Sequence, residues 1–512
     1  MLKEKIFGEN FYNFLFYLSL ILPLALIAGP LISEIVIFFL IVLFSFKFVK
    51  NKKFFFHPNL KIFYFFIFFY AYLLLNASLN SVSLDLSFKN SFFYFRFIFF
   101  SYIFFFIVYL NENKFFKYLF YILISIFLFF FIDLIFLTIF NQPISGSRIV
   151  SGSERFTSLF GDEEVLGGYI MKLLPSLLIT LIFLKKQNLL FFLLLISGVL
   201  IIASGERTSF VHFIILCFFL TIHKKFFKSA ITASFIFLLV ASFLYFINFT
   251  PIKRIISATM QEIIIDGRND VVLFSDVHEN MILTSYEIFK KNVFFGTGPK
   301  TYRKVCSDDK YAKVIKEKII KENILLAKDD GYLYLRSYVG TNEITNKPNE
   351  VFEVYIFYNS GENKEYDLLR YRKDEGAVGK SYKIRKLTKS GEWIYPKIDF
   401  KKNEMIAKIS YARVDGCDTH PHNLTAQFMS ELGLIGLFFY LTFYLYLLKE
   451  LFYAYKIHNK PYSIVYYLSI LSLLINFFPL IPSGNFFNNW YSTLLYYPLG
   501  FFIYFNYKLK KD

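Results

Sequence analysis

The chain has 512 residues and a formal net charge of +17; 56% of its residues are hydrophobic and 22% aromatic, with 71 Phe and 38 Tyr but only 2 Trp. Mean hydropathy is +0.46, and the excess over the ~45–50% apolar content of a soluble domain is gathered into runs approaching the length that crosses ~30 Å of hydrocarbon. Runs such as FYNFLFYLSLILPLALIAG and YLFYILISIFLFFFIDLIFLTIF exclude a soluble enzyme, a disordered chain and a nucleic-acid-binding domain.

Apolar runs predict about twelve membrane spans, near 11–28, 31–49, 60–76, 91–110, 117–140, 165–184, 188–203, 208–223, 229–249, 432–449, 462–481 and 490–507. The first lacks a convincing small-residue cleavage site and reads as a retained anchor. Between 251 and 430 there are 30 Lys/Arg and 25 Asp/Glu, a net of +5; the remainder holds 26 and 14, a net of +12. Most of that +12 sits in every second short loop, on one side of the spans, at Lys47–Lys53, Lys114, Lys117, Lys185, Lys186, Lys224, Lys225, Lys228, Lys449 and Lys508 among others. The positive-inside rule puts these loops and both termini in the cytoplasm. No nucleic-acid partner is expected.

The expected fold is therefore an all-α polytopic membrane protein with one large periplasmic loop. About 1–250 would hold the first nine spans, about 251–431 the loop, and about 432–512 the last three spans and a cytoplasmic C-terminus. Within the loop, NDVVLFSDVHENMILTSYEIFKKN reads as a helix ending at FGTGP. The charged stretch that follows reads as a further helix, giving a helical part over about 251–328. From about 329 to 416, segments such as YLYLRSYVG, EVFEVYIFYNS, EYDLLRYRK and EMIAKISYARV predict a small β-rich, sandwich-like insertion. Its Trp393 could stack on a sugar, although strand and core roles are commoner for such residues. Cys306 and Cys417 flank the insertion. In an oxidising compartment they suggest a disulfide at its base, with two free thiols as the alternative.

Candidate chemistry gathers where this loop enters the tenth span, at THPHNLTAQFMSELGLIG. Pro421 blocks helix continuation, and Asn423 can cap a following helix. His422 would then stand near a helix N-terminus as a general base, with His420 beside it as a second candidate. A polar histidine in a surface turn is the plain alternative. Arg155 and Arg207 connect spans on the non-lysine side; Arg148 is nearby, and Arg268, Lys300 and Arg303 lie in the loop. An arginine near the hydrophobic core is costly unless paired or solvated and is a functional candidate by default, whereas snorkelling or pairing with a carboxylate such as Glu206 is the structural explanation. Asp162, Glu163 and Glu164 are adjacent, and their expected role is to stabilise a helix N-terminus. No spacing compels a metal site, and no cofactor is expected.

His422-Asn423, nine residues, then Gly433 and Gly436 make an HN-x9-GxxG pattern. With ERFTSLFGDEEVLGGYI from Glu154, SGERTSF from Ser204 and FFGTGPKTYR from Phe294, the chain resembles the O-antigen ligase and O-antigen polymerase superfamily, which includes bacterial protein O-oligosaccharyltransferases. The resemblance covers about 145–305 and 415–490, leaving the first five spans and the β-rich segment without a recognised motif. It implies an inverting, metal-independent glycosyltransferase on the periplasmic face of the bacterial inner membrane. The donor would be a glycan on undecaprenyl diphosphate; the acceptor would be lipid A–core, another lipid-linked repeat unit or a protein hydroxyl. On that resemblance His422 is the expected base and His420 its back-up. Arg155 and Arg207 are the expected diphosphate ligands, with Arg268, Lys300, Arg303 and Asn423 as further binding candidates. Membrane lipids are the remaining partners. A lipid-linked oligosaccharide flippase or other transporter fits the span count, but no internal repeat of the halves is visible.

Overall fold

The computed structural model describes residues 9–50, 60–146, 155–258, 260, 276–306, 308, 310–311 and 417–511, together with the backbone of strands between 313 and 415. Its main helices are α1 (Glu9–Leu20), α2 (Leu22–Ile27), α3 (Pro30–Lys50), α4 (Leu60–Leu79), α5 (Leu84–Phe92), α6 (Phe95–Leu110), α7 (Glu112–Phe140), α8 (Leu166–Phe183), α9 (Leu190–Ser204), α10 (Arg207–Ile222), α11 (Phe227–Phe246), α12 (Asp276–Lys291), α13 (Leu424–Gln427), α14 (Gly433–Lys456), α15 (Ser463–Asn476) and α16 (Asn489–Lys511). Seven described helices are long and apolar enough to cross a membrane, and three shorter ones are also apolar. The first expected span is broken into α1 and α2 at Ile21. Pro23 supplies no N–H for the carbonyl four residues earlier.

The chain divides into two units, one of Met1–Leu74, Lys89–Leu273 and Phe438–Asp512, the other of Leu75–Phe88 and Phe274–Leu437. The first is a helical bundle. α8 is covered on almost every side, whereas α11 leaves most of its surface open. A helix apolar all round and fully covered belongs at a bundle centre. α15 packs on α8 and α16, and α9 packs on α8 and α11. Aromatic rings fill the contact between α6 and α16. Phe104 lies 4.9 Å from the ring centres of both Tyr497 and Phe501, tilted or edge-on as aromatic quadrupoles prefer. Ser101 Oγ donates to Tyr496 O at 2.9 Å across the same contact.

In the second unit, eight strands form one antiparallel sheet in the order β1-β8-β4-β5-β6-β3-β2, with β7 on β6, where two packed sheets were expected. β1 is Lys313–Ile319, β2 Leu325–Ala327, β3 Leu333–Leu335, β4 Val351–Ser360, β5 Asn363–Lys373, β6 Tyr382–Leu387, β7 Trp393–Ile394 and β8 Met405–Asp415. The expected helix over the charged stretch is thus corrected: β1 and β2 occupy it. Lys and Glu favour a helix locally, but β1 finds a strand partner, Lys313 opposite Asp415. Because first and last strands are neighbours, the segment leaves and rejoins the chain at adjacent points. Cys306 and Cys417 are joined by a disulfide there.

The rest of this unit is held by backbone pairing. Residues Phe428–Leu432 form a wide π-type turn before α14. Thr297 N donates to Ser430 O at 3.0 Å, Gly298 N to Glu431 O at 2.9 Å and Leu434 N to Val293 O at 2.7 Å. Such close approach requires glycine at both crossing points. A Cβ on Gly433, at φ +64°, would stand 2.5 Å from the Phe294 backbone, and one on Gly296, at φ +68°, 2.4 Å from that of Glu431. Gly433→Ala should therefore destabilise the chain by about 1–3 kcal/mol. A lowered thermal midpoint of the detergent-solubilised protein is the expected reading; an unchanged one contradicts this account of the GxxG glycine.

Candidate functional site

In the second unit the sequence-predicted histidines fall together. Pro421 enforces a turn, and His422 follows it in left-handed backbone at φ 50°. Asn423 is extended, and its Oδ1 accepts from Ala426 N at 3.0 Å, capping α13. The His420 and His422 rings are 4.0 Å apart, and His278 from α12 stands edge-on to His422 at 5.7 Å. His422 Nε2 pairs with Asp418 Oδ2 at 3.1 Å. His420 Nδ1 lies 3.0 Å from Thr419 Oγ1. A carboxylate on one ring nitrogen fixes the imidazole's orientation and tautomer, which leaves His422 Nδ1 as the nitrogen able to take a proton.

Burial alone would raise the Asp418 carboxyl. The hydrogen bond from His422, that from the Thr419 N–H, and the charges of His422 and His420 outweigh it and hold Asp418 at about 2, below its ordinary 3.8. Asp418 is fixed from behind as well, since Cys306 Sγ lies 3.8 Å from its carbonyl oxygen and Cys306 is bonded to Cys417. Sequence reasoning missed Asp418 and His278. Asp418 could have been found four residues ahead of His422 in DTHPHN; His278 had no local signal.

Glu431 anchors the FGTGP turn. It is fully buried, its Oε1 accepts from Tyr302 N at 2.9 Å, and its Oε2 accepts from Gln427 Nε2 at 2.9 Å. Lys300 sits on this turn at φ 63°, and the Arg303 charge acts on Glu431. Lys300 and Arg303 are thus part of the loop that docks on Glu431, and the structure brings neither to His422 in a described contact. Arg268 and Arg148 lie outside the described residues.

The helical unit gathers Arg155, Glu206 and Arg207. Phe156 N donates to Ala203 O at 3.0 Å, which lays the Arg155 stem against Gly205 in the SGER turn. Arg155 Nη1 pairs with Glu164 Oε2 at 2.5 Å, while its Nε has no partner among the described residues. Asp162, Glu163 and Glu164 directly precede α8, but none lies in its first turn. The carboxylate that accepts from the first N–H groups of α8 comes from the turn between α9 and α10: Glu206 accepts from Gly167 N at 2.7 Å, Gly168 N at 2.9 Å and Ser209 Oγ at 2.9 Å. Gly167 makes room for this turn, since a Cβ there would stand 2.4 Å from Ser204 Oγ and 3.1 Å from Glu206 Cδ. Desolvation raises the Glu206 pKa, although the hydrogen bonds from Ser209 and Gly167 and the Arg155 charge pull it down. Sequence reasoning also missed Lys172, buried within α8.

Arg155 and Arg207 belong to one unit and the histidines to the other, and each set is described by itself. Among the described residues no group of three His, Cys, Asp or Glu is placed to hold a metal ion. The chain matches no protein-family model, no curated protein and no solved structure.

Glu206→Ala should leave the α8 N–H groups unanswered and lower stability by about 3 kcal/mol or more, with Glu206→Gln costing less, as read by denaturant unfolding. The Asp418 shift has a sign that can be checked. A depressed folded-state pKa contributes stability that is present above about 4 and lost as pH falls towards about 2. Across that window wild type should lose about 2 kcal/mol more than Asp418→Asn. Parallel unfolding curves for the two would contradict the pairing.

Proposed function

We propose that this is a polytopic membrane glycosyltransferase moving a glycan from undecaprenyl diphosphate to an acceptor on the periplasmic face of the bacterial inner membrane. On this reading the chain crosses about twelve times, both termini are cytoplasmic and the large loop is periplasmic. The observation that carries the proposal is the Asp418–His422 pair at 3.1 Å, next to a capped helix start and with Nδ1 of His422 left to act. His422 Nδ1 takes the proton from an acceptor hydroxyl as its oxygen attacks the anomeric carbon. The bond from that carbon to the carrier phosphate breaks, and its electron pair leaves with the diphosphate. A single displacement inverts the anomeric centre. Arg155 and Arg207 bind the diphosphate and take up its developing charge, as guanidinium groups do without a metal. Asp418 positions the base, and His420 is the second imidazole in reach. A ligase-like acceptor, lipid A–core, is favoured by the HN-x9-GxxG pattern; a polymerase-like acceptor is another lipid-linked repeat unit.

The test supplies a defined undecaprenyl-diphosphate glycan with lipid A–core, with donor alone, or with a protein acceptor, and identifies products by mass spectrometry. Wild type should form one product class, and His422→Ala should lower its rate by about 10²-fold or more. Wild-type transfer by His422→Ala removes the base assignment, and absence of product in all three arms removes the reading.

A further inference from the structure

Lys172 lies inside α8 and is 9% exposed. Its ammonium has three N–H donors. One reaches Asn476 Oδ1 at 3.4 Å, and the Tyr491 ring lies 4.5 Å from Nζ. Among the described residues no carboxylate pairs with it. Glu206 acts on it electrostatically, but its oxygens already serve Gly167, Gly168 and Ser209. A buried ammonium with one long neutral acceptor leaves donors unanswered in apolar surroundings, and charged residues so placed mark functional sites.

Three neighbouring groups are also without partners among the described residues: His212 Nε2 on α10, Ser176 Oγ on α8 and Ser472 Oγ on α15. Ser176 follows Lys172 by one helical turn, and Ser472 precedes Asn476 by one, so each shares a face with a member of the Lys172–Asn476 contact. α8, α10 and α15 pack on one another, and the Lys172 charge acts on the His212 ring. A cation and hydroxyls with unanswered donors, beside an imidazole with an unpartnered ring nitrogen, suit a ligand rich in acceptors and negative in charge.

We propose that Lys172, with His212, Ser176 and Asn476 around it, forms an anion subsite inside the helical unit that takes a phosphoryl oxyanion. Anion binding follows from the unanswered donors; the choice of a phosphoryl group rests on the proposed diphosphate carrier. Lipid-linked and free diphosphate share this chemistry.

The test uses the full chain in phosphatidylcholine nanodiscs and a small water-soluble acylating reagent, with modification of Lys172 read by peptide mass spectrometry. One arm titrates inorganic diphosphate, a second places undecaprenyl diphosphate in the disc, and a third adds sulfate. Saturable protection of Lys172 by diphosphate, with Lys186 unprotected, is expected. Protection by the lipid alone assigns the site to the carrier headgroup; protection by both assigns it to diphosphate generally. A Lys172 that is inert without ligand, unprotected by either diphosphate, or equally protected by sulfate overturns the proposal. In parallel, Lys172→Met should raise the diphosphate concentration for half-maximal thermal stabilisation by about tenfold, and Lys172→Arg should restore part of it. An unchanged concentration in Lys172→Met also overturns it. Protection of Lys172 without glycan transfer removes only the proposed reaction; transfer without protection removes only the subsite.

Discussion

The helical unit depends on how the first N–H groups of α8 are answered. A helix start has donors with no partner in the helix itself, and in apolar surroundings no water supplies one. Glu206 meets two of them, at Gly167 and Gly168, from the turn between α9 and α10. Its charge also suits the positive end of the helix. The consequence reaches past capping. That carboxylate holds the turn before α10 against α8, and the last turn of α9 beside it receives Phe156 N at Ala203 O and so seats Arg155. The arginine that the sequence offers for phosphate binding is thus held in place by a neighbour whose own task is structural.

The second unit solves the same problem with main-chain acceptors. The wide turn at Phe428–Leu432 lets Ser430 and Glu431 receive N–H groups from the FGTGP loop, and the Glu431 side chain receives Tyr302 N. Tyr302, Val305 and Cys306 then pack with Ile288 into a small core, with Cys417 against it. Asp418 directly follows Cys417, so the group that orients His422 is fixed to the same core. Binding-type residues on a loop gain precision from rigid support of this kind.

Much of this was legible in the sequence where the signal is local. Long apolar runs marked the helices because hydropathy needs no partner to be read. Pro421 and Asn423 marked the start of α13 because ring geometry and side-chain capping act within a few residues. What failed to show depends on tertiary partners. The charged run at Lys313–Ile319 carries helix-forming residues and became a strand only because Met405–Asp415 lies beside it. The acidic triplet stands next to the start of α8, yet the carboxylate that accepts its first N–H groups is Glu206, from a turn about forty residues later in the chain. His278 reaches His422 from a distant helix and left no trace in the motif.

Lys172 shows why averaging over a span hides what a buried helix carries. One lysine in eighteen residues barely lowers the mean hydropathy, and α8 still passes as a crossing helix. Position by position, Lys172, Ser176 and Thr180 recur every four residues along one face. On a helix facing lipid such a stripe would be costly over its whole length. On α8 every one of these side chains is buried against protein. The polar stripe and the central position of α8 therefore require each other: neighbouring helices keep the stripe out of hydrocarbon, and only a helix enclosed by them can carry it.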